Sequence, residues 1–225
     1  MVRLALFDID GTLIRTGGAG VRAFASALRD EFGIEHGTEG VHFAGRTDSS
    51  LIREILGRHR ISFIPAMAER FYARYVFWLD YLLDQTNGGP CAGVMPFLEE
   101  MRRLPEPPVI GLLTGNIRLG AEIKLRRFGL WDWFVVGAFG DDHEDRNQLS
   151  GIAHRRACTL MGRPLQGDEI LVVGDTPADV ACGRAIQART LAVATGGATM
   201  EELEDHRPNW AVRTLRQVTA QEVCA

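Results

Sequence analysis

Short, nearly continuous runs of apolar residues recur along the chain with little polar alternation. Runs of this length are typical of parallel strands covered on both faces of a sheet. Helical stretches separate the later runs, and this alternation predicts an α/β fold with a doubly wound, mostly parallel, Rossmann-like sheet. The predicted strands are Leu4–Ile9, Val109–Leu113, Phe134–Val136, Ile170–Val173, Leu191–Val193 and a weaker run, Trp210–Val212.

Three helices between these strands are predicted from apolar spacing and from signals at their ends. Proline in a first turn, a threonine cap and a glycine stop are such signals. The helices are Met95–Leu104 with Pro96 in its first turn, Ile117–Phe128 followed by Gly129, and Pro177–Ile186 preceded by Thr176.

The interval from about Ile14 to Cys91 breaks the alternation. It contains no convincing strand, and two apolar stripes at helical spacing predict amphipathic helices that pack on one another. We therefore expect an α/β core formed by residues 1–14 and 92–225, with a helical subdomain inserted over residues 15–91. Thr16-Gly17-Gly18 is the expected hinge, and Thr86–Gly93 is the expected return linker. The stripes are Leu51, Ile52, Ile55 and Leu56, and Phe71, Tyr72, Tyr75, Leu79 and Leu82.

Composition narrows the function classes. The 225 residues are 46% hydrophobic and 24% charged with a net charge of −4, which predicts a protein without general attraction to nucleic acid or anionic membranes. No apolar run reaches the roughly 18 residues of a membrane span, and the first run meets Asp8 too soon for a signal peptide. The four cysteines form no Cys-x-x-Cys pair, which argues against a zinc site. We expect a cytoplasmic protein.

The first apolar run ends in Asp8-Ile9-Asp10-Gly11-Thr12. Alternation along an extended chain puts Asp8 and Asp10 on the same side, where their charges repel unless a cation lies nearby or one of them keeps a proton. A solvated loop could also have the sequence Asp-x-Asp-Gly. The polar residues at the ends of the other strands strengthen the interpretation of this motif as a reactive site.

Polar residues also lie directly after two later strands. The second predicted strand leads into Thr114-Gly115-Asn116, and the fourth leads into Gly174-Asp175, with Asp179 one helical turn later. Because ligands bind beyond the carboxyl ends of the strands in an open α/β sheet, we expect these side chains to converge in one crevice. Four converging carboxylates require a hard divalent cation, and Mg²⁺ fits best.

These motifs resemble those of the haloacid dehalogenase-like superfamily of aspartate-nucleophile phosphohydrolases, in its phosphoglycolate phosphatase-like and β-phosphoglucomutase-like branch. The resemblance covers essentially the whole chain, and the helical insert matches that superfamily's cap. The first motif falls on Asp8, Asp10, Gly11 and Thr12, the second on Thr114, and the fourth on Gly174, Asp175 and Asp179.

The resemblance implies a role for each of these residues. Asp8 would attack phosphorus to form an aspartyl-phosphate, while Asp10 would protonate the leaving oxygen and later deprotonate water. Thr114, Gly115 and Asn116 would bind the phosphoryl group, helped by amides at the start of the following helix. The implied Mg²⁺ ligands are Asp8, the backbone carbonyl of Asp10, Asp175 and Asp179.

The third motif departs from the usual form. A Lys-Pro pair would be expected upstream of the fourth motif, and Arg146-Asn147 lies at that place. Arg146 is the predicted substitute, holding a phosphoryl oxygen and shielding Asp8, against the alternative of a surface charge in an acidic stretch. Lys124, the single lysine of the chain, is the rival, although a solvated helix lysine is the favoured interpretation of it.

Two further features of the sequence help to choose among the branches of this superfamily. Asp10 favours phosphoryl transfer, because the dehalogenating branch expels halide without a proton, and residues 14–91 lack the cap lysine that the phosphonate-cleaving branch requires. The loop that contains Arg46, Thr47 and Asp48 resembles the cap loop of phosphoglycolate phosphatase-like enzymes. Arg46 could clamp a substrate carboxylate or a second phosphate, or be solvated. Asp48 could contact substrate, cap the next helix or be its first-turn acid.

The sequence therefore predicts an Mg²⁺-dependent phosphatase for a small, soluble phosphate monoester, either phosphoglycolate-like or a sugar phosphate. Two alternatives share every core residue: a phosphomutase of the β-phosphoglucomutase type, and a regulatory or binding module that has lost turnover. We expect a monomer or a homodimer.

Overall fold

The computed structural model describes residues 1–225, and six of its strands form a single parallel sheet in the order β5-β4-β1-β6-β7-β8. The strands are β1 (Leu4–Phe7), β2 (Ile14–Arg15), β3 (Gly89–Pro90), β4 (Val109–Leu113), β5 (Val136–Ala138), β6 (Ile170–Gly174), β7 (Arg189–Val193) and β8 (Trp210–Val212). Strands β4 and β5 lie on one side of β1, and strands β6, β7 and β8 lie on the other side. This reversal defines a doubly wound sheet, and the predicted fold class is confirmed.

Nine α-helices accompany the strands. They are α1 (Ala19–Phe32), α2 (Asp48–Arg58), α3 (Pro65–Leu83), α4 (Val94–Arg102), α5 (Arg118–Arg127), α6 (Arg146–Met161), α7 (Pro177–Ala185), α8 (Met200–Asp205) and α9 (Ala220–Cys224). The predicted end signals operate where they were expected: Pro177 lies in the first turn of α7, and Thr176 and Asp179 cap it reciprocally. None of the helices combines the length and the apolar character that a membrane-crossing segment requires.

The central strand β1 is buried on both faces. Ala5 and Phe7 belong to an apolar cluster of 26 residues on one face of the sheet, while Leu4 and Leu6 belong to a cluster of 11 residues on the other. Because side chains alternate along a strand, a run without polar residues is the signature of this double burial.

One predicted strand is displaced. The run Phe134–Val136 predicts a strand, but β5 spans Val136–Ala138, because the preceding Trp131–Trp133 segment forms a 3-10 turn. Phe134 packs edge-on against Phe7 with ring centroids 6.2 Å apart. Its apolar character therefore reflects core packing and not strand pairing.

The segment between β1 and β4 contains α1, α2 and α3, which share an apolar cluster of 16 residues. Phe24 meets both Phe71 and Tyr75 edge-on in this cluster, so the predicted aromatic stripe forms packing contacts. The expectation of no strand here is wrong in one detail: Ile14–Arg15 pairs with Gly89–Pro90 as a short antiparallel ribbon where the chain enters and leaves the segment.

Candidate active site

The candidate site lies where the order of the sheet reverses. Asp8 follows β1, Thr114 follows β4 and Asp175 follows β6, and the three strands are adjacent. Their carboxyl ends open into a cavity of about 440 Å³ that these three residues line together with Asp10 and Arg146. The predicted convergence of three distant motifs is what the structure shows.

Three carboxylates cluster at one end of the cavity, which Asp8 and Asp175 line. Oxygen atoms of Asp8, Asp175 and Asp179 lie within 4.8 Å of one another, and all three side chains are buried. The Thr12 hydroxyl donates to Asp175 Oδ1 at 2.8 Å, and the Thr176 hydroxyl donates to Asp179 Oδ2 at 2.7 Å. These bonds fix the orientation of two of the carboxylates before any ligand binds.

The cluster carries more negative charge than the protein offsets. Burial raises the pKa of Asp8 to about 6, with Arg146 opposing this rise and Asp179 and Asp10 adding to it. Burial also raises the pKa of Asp175 to about 8, and the charges of Asp8 and Asp179 reinforce the effect. Buried carboxylates that repel one another are what a divalent cation with oxygen ligands would stabilise.

The backbone of Gly196 lies close against the side chain of Asp175. A Cβ atom at Gly196 would lie 1.5 Å from Asp175 Oδ2, so this position excludes every other residue. The side-chain donors of this cluster are carboxylate oxygens, which are the hard ligands that Mg²⁺ prefers over nitrogen or sulfur ligands. The residues present therefore fit the expected Mg²⁺.

Arg146 reaches this cluster from the first turn of α6. Its Nη2 lies 3.0 Å from Asp8 Oδ1 and also donates to Asp179 Oδ1. The side chain is buried, so a surface charge is the wrong interpretation of Arg146. Its Nε is a buried donor without a partner within the protein, while the residue as a whole lines the cavity.

Lys124 is also buried, and its interpretation as a solvated helix lysine is wrong. Its Nζ lies 2.6 Å from Asp10 Oδ2 and 2.6 Å from Asn116 Oδ1, whereas Arg146 contacts Asp8. A signal was present in the sequence: Ala121 and Leu125 lie on the buried face of α5, and Lys124 shares that face at helical spacing.

The segment after β4 is tied together by side chains. Thr114 Oγ1 accepts from Asn116 Nδ2 at 2.8 Å, and the same Nδ2 donates to Asp10 Oδ2 at 2.8 Å. Gly115 lies so close to the inserted segment that a Cβ atom there would be 1.9 Å from the Arg46 carbonyl oxygen. Thr114, Gly115 and Asn116 all line the cavity, as does Arg146, the fourth predicted phosphoryl-binding residue.

Two of the amides at the start of α5 are bonded to side chains of the protein. Ile117 N donates to Asp48 Oδ2 at 2.9 Å, and Arg118 N donates to Asp141 Oδ1 at 3.0 Å. Two carboxylates of the protein therefore occupy two of the amides that could assist Thr114. The sequence did not reveal this, because Asp48 and Asp141 lie 69 and 23 residues away along the chain.

The predicted cap loop docks on the core. Thr47 caps α2, and Asp48 is the acidic residue of its first turn. The Thr47 hydroxyl accepts from Ser50 N at 3.1 Å and donates its proton to the Glu144 carbonyl at 2.7 Å. Asp48 N donates to the Gly115 carbonyl at 2.8 Å. Arg46 lines the cavity but pairs with Glu54, so its guanidinium is neither free nor fully solvated.

Asp48 yields a prediction about stability. Burial raises its pKa to about 6, although Lys124 and the Ile117 amide oppose this rise. Because the folded-state pKa exceeds the ordinary value of 3.8, ionisation costs stability as the pH rises through this window. Asp48→Asn keeps an acceptor for the Ile117 amide, so we expect it to match wild type at pH 4 and to be more stable by about 1–3 kcal/mol at pH 7.

Thermal unfolding between pH 4 and pH 8 measures this difference. The control is Asp80→Asn, an exposed position on α3. Its stability difference from wild type should stay flat over the same range. A less stable Asp48→Asn at pH 7 would show that the ionised carboxylate is worth more to the fold than its burial costs.

Comparison with known proteins is consistent with this geometry. A family model described as haloacid dehalogenase-like hydrolase matches residues 2–187. A phosphoglycolate phosphatase from Chromobacterium violaceum is 27% identical over 206 residues, covering 90% of this chain and 89% of that protein. A protein described as probable phosphatase IndB, from Dickeya dadantii, is 25% identical over 97% of this chain and 92% of its own length. The crystal structure of a HAD hydrolase of family IA, variant 3, from Entamoeba histolytica superimposes with a TM-score of 0.74 at 18% identity, covering 100% of this chain and 98% of that one.

Proposed function

The chain belongs to the haloacid dehalogenase-like hydrolases, and from this we propose that it is an Mg²⁺-dependent phosphatase that hydrolyses a small phosphate monoester through an aspartyl-phosphate. One observation carries the proposal: Asp8 lies in a cavity with Asp10, beside the buried Asp175–Asp179 cluster and the Arg146 guanidinium. This arrangement offers a nucleophile, a proton carrier, a cation site and an anion-binding group within one cavity.

Asp8, Asp175 and Asp179 would hold the metal, together with the Asp10 backbone carbonyl that the resemblance implies. When bound, Mg²⁺ supplies the positive charge that allows the Asp8 carboxylate to approach a phosphate dianion. The remaining chemistry belongs to the side chains.

In the first step an Asp8 carboxylate oxygen bonds to phosphorus while the ester P–O bond breaks. The electron pair of that bond goes to the leaving oxygen, which takes a proton from the Asp10 carboxyl. In the second step water attacks the aspartyl-phosphate and gives its proton to Asp10. Asp8 recovers its electron pair, and phosphate and alcohol are the products.

Arg146 and Thr114 would hold the phosphoryl group during both steps. The Arg146 guanidinium, which lines the cavity, can donate a further N–H to a phosphoryl oxygen while Nη2 stays paired with Asp8 and Asp179. The Thr114 hydroxyl already accepts from Asn116, so its own proton is available for donation. Donors that are fixed before the reaction are those that best stabilise developing charge.

Residues 15–91 would act as the cap over this site. Their two connections to the core pair as the β2–β3 ribbon, and the Thr86 hydroxyl donates to the Thr16 carbonyl at 2.8 Å across it. A pivot at Thr16-Gly17-Gly18 would move the α2 end of the insert away from the core and admit substrate. The cavity volume of about 440 Å³ suits a small ester such as phosphoglycolate or a sugar phosphate.

A panel of phosphate esters tests the proposal. We expect Mg²⁺-dependent release of phosphate from at least one small ester, with a rate that falls about 10²-fold or more when EDTA removes the metal. Mg²⁺ should also raise the melting temperature of the wild-type protein, because it binds only the folded carboxylate cluster.

Other outcomes identify the alternatives. Turnover that requires a catalytic amount of a sugar bisphosphate would indicate a phosphomutase. No release from any ester, despite a thermal shift with Mg²⁺, would indicate a binding module that has kept the site without its turnover.

A further inference from the structure

The ammonium of Lys124 lies inside the candidate site, yet no step of the proposed chemistry uses it. Its Nζ lies 2.6 Å from Asp10 Oδ2 and 2.6 Å from Asn116 Oδ1, and the side chain is buried. It is the single lysine in the chain. Two of its three hydrogens are therefore committed to these partners, which leaves it little capacity to bind a phosphoryl group itself.

Both hydrogen bonds that the Asp10 carboxylate accepts converge on one oxygen. Lys124 Nζ and Asn116 Nδ2 each donate to Oδ2, at 2.6 and 2.8 Å. Asn116 is held in turn by Thr114 Oγ1 at 2.8 Å. The rotamer of Asp10 is thus fixed from one side, and Oδ1 stays available to a substrate in the cavity that Asp10 lines.

The ion pair between Lys124 and Asp10 is not explained by a contribution to the stability of the fold. It joins a lysine side chain that is 4% exposed to an aspartate side chain that is 41% exposed. Burying an ammonium costs free energy, and a pair with one solvated partner returns little of it. An arrangement that costs stability at a reactive carboxylate points to positioning.

The inserted segment completes the environment of the ammonium. A Cβ atom at Gly20, in the first turn of α1, would lie 3.4 Å from Lys124 Nζ. The first turn of α1 therefore covers the ammonium and limits its access to water. Under such cover a charged hydrogen bond is stronger and more directional than in solvent.

We propose that Lys124 is a positioning residue that holds the Asp10 carboxyl in place for proton transfer to the leaving oxygen, while Arg146 serves Asp8. This inference rests on the proposed phosphatase function. Each cation contacts different aspartates: Arg146 contacts Asp8 and Asp179, whereas Lys124 contacts Asp10. A single lysine at the third motif would not contact all of them.

The consequence depends on the leaving group. When the ester P–O bond breaks, an alkoxide needs a proton from Asp10, whereas p-nitrophenolate is stable enough to leave without one. Loss of the positioning contact should therefore slow alkyl phosphates far more than aryl phosphates. A change that only loosens the fold or the phosphate site would slow both classes equally.

The test compares β-glycerol phosphate with p-nitrophenyl phosphate. For Lys124→Met we expect kcat/KM to fall about 10²-fold with the alkyl ester and less than about 10-fold with the aryl ester. Asp10→Asn should show the same asymmetry, and the double variant should be no worse than Asp10→Asn alone, because both changes remove the same function. The matched control is Arg126→Met, an exposed cation on the same helix, which should leave both esters unchanged.

Equal losses with the two esters, or additive losses in the double variant, would overturn the inference. If wild type hydrolyses neither these two nor any other ester of the panel, the phosphatase proposal fails, and the Lys124–Asp10 contact is tested separately by ¹⁵N-lysine NMR. The single lysine gives one Nζ resonance, which Asp10→Asn should move and Asp80→Asn should not. This measurement also serves if Lys124→Met does not fold, and an unmoved resonance in Asp10→Asn overturns the contact.

Discussion

Replacing Asp8 by asparagine is expected to lower Mg²⁺-dependent hydrolysis of phosphate esters by about 10³-fold or more. The amide is a poor nucleophile, so the bond to phosphorus does not form and the later proton transfer at Asp10 has nothing to act on. Trapping of ³²P-labelled protein from a labelled ester gives the direct measurement, with label expected on wild type and none on Asp8→Asn.

The loss should not come from unfolding. Burial raises the pKa of Asp8 from 3.8 to about 6. In the metal-free protein, the ionised carboxylate therefore lowers the stability of the fold as the pH rises through this range. Asparagine removes that charge, while Arg146 remains paired with Asp179. We expect the metal-free melting temperature at pH 7 to be no lower than that of wild type. Full activity in Asp8→Asn would refute the nucleophile assignment, and a large fall in melting temperature would refute the electrostatic account.

The part of the site that the sequence predicts well is the part that strand ends determine. Asp8, Thr114 and Asp175 each directly follow an apolar run, and adjacent parallel strands bring their carboxyl ends together. The fold class depends on the same local patterns, since each of the six runs that predict a strand lies in or beside the sheet. Local pattern and topology are sufficient for this much.

Contacts between residues far apart in sequence account for what was missed. Lys124 meets Asp10 across 114 residues, and Asp48 meets the Ile117 amide across 69. No composition or spacing indicates which carboxylate reaches which donor. The same holds for the shifted strand β5, where the packing of Phe134 on Phe7 overrides the local apolar signal.

Arg146 offers a second test, in which stability and activity are expected to separate. One nitrogen, Nη2, makes both ion pairs, with Asp8 at 3.0 Å and with Asp179. Removing it in Arg146→Met leaves buried carboxylates without their cation, and we expect a loss of about 3–5 kcal/mol of metal-free stability. We also expect kcat/KM to fall about 10²–10³-fold, because the phosphoryl group loses a charged donor.

In Arg146→Lys we expect stability to recover more fully than catalytic activity. An ammonium can replace Nη2 in the ion pairs, so the melting temperature should return close to that of wild type. It cannot also supply the further N–H of the planar guanidinium that we assign to a phosphoryl oxygen, so kcat/KM should stay about 10-fold or more below wild type. Arg155→Met, an exposed change on the same helix, controls for loss of positive charge and should alter neither property. Equal recovery of stability and activity by lysine would show that charge alone suffices, and a fully active Arg146→Met would remove this residue from the phosphoryl site.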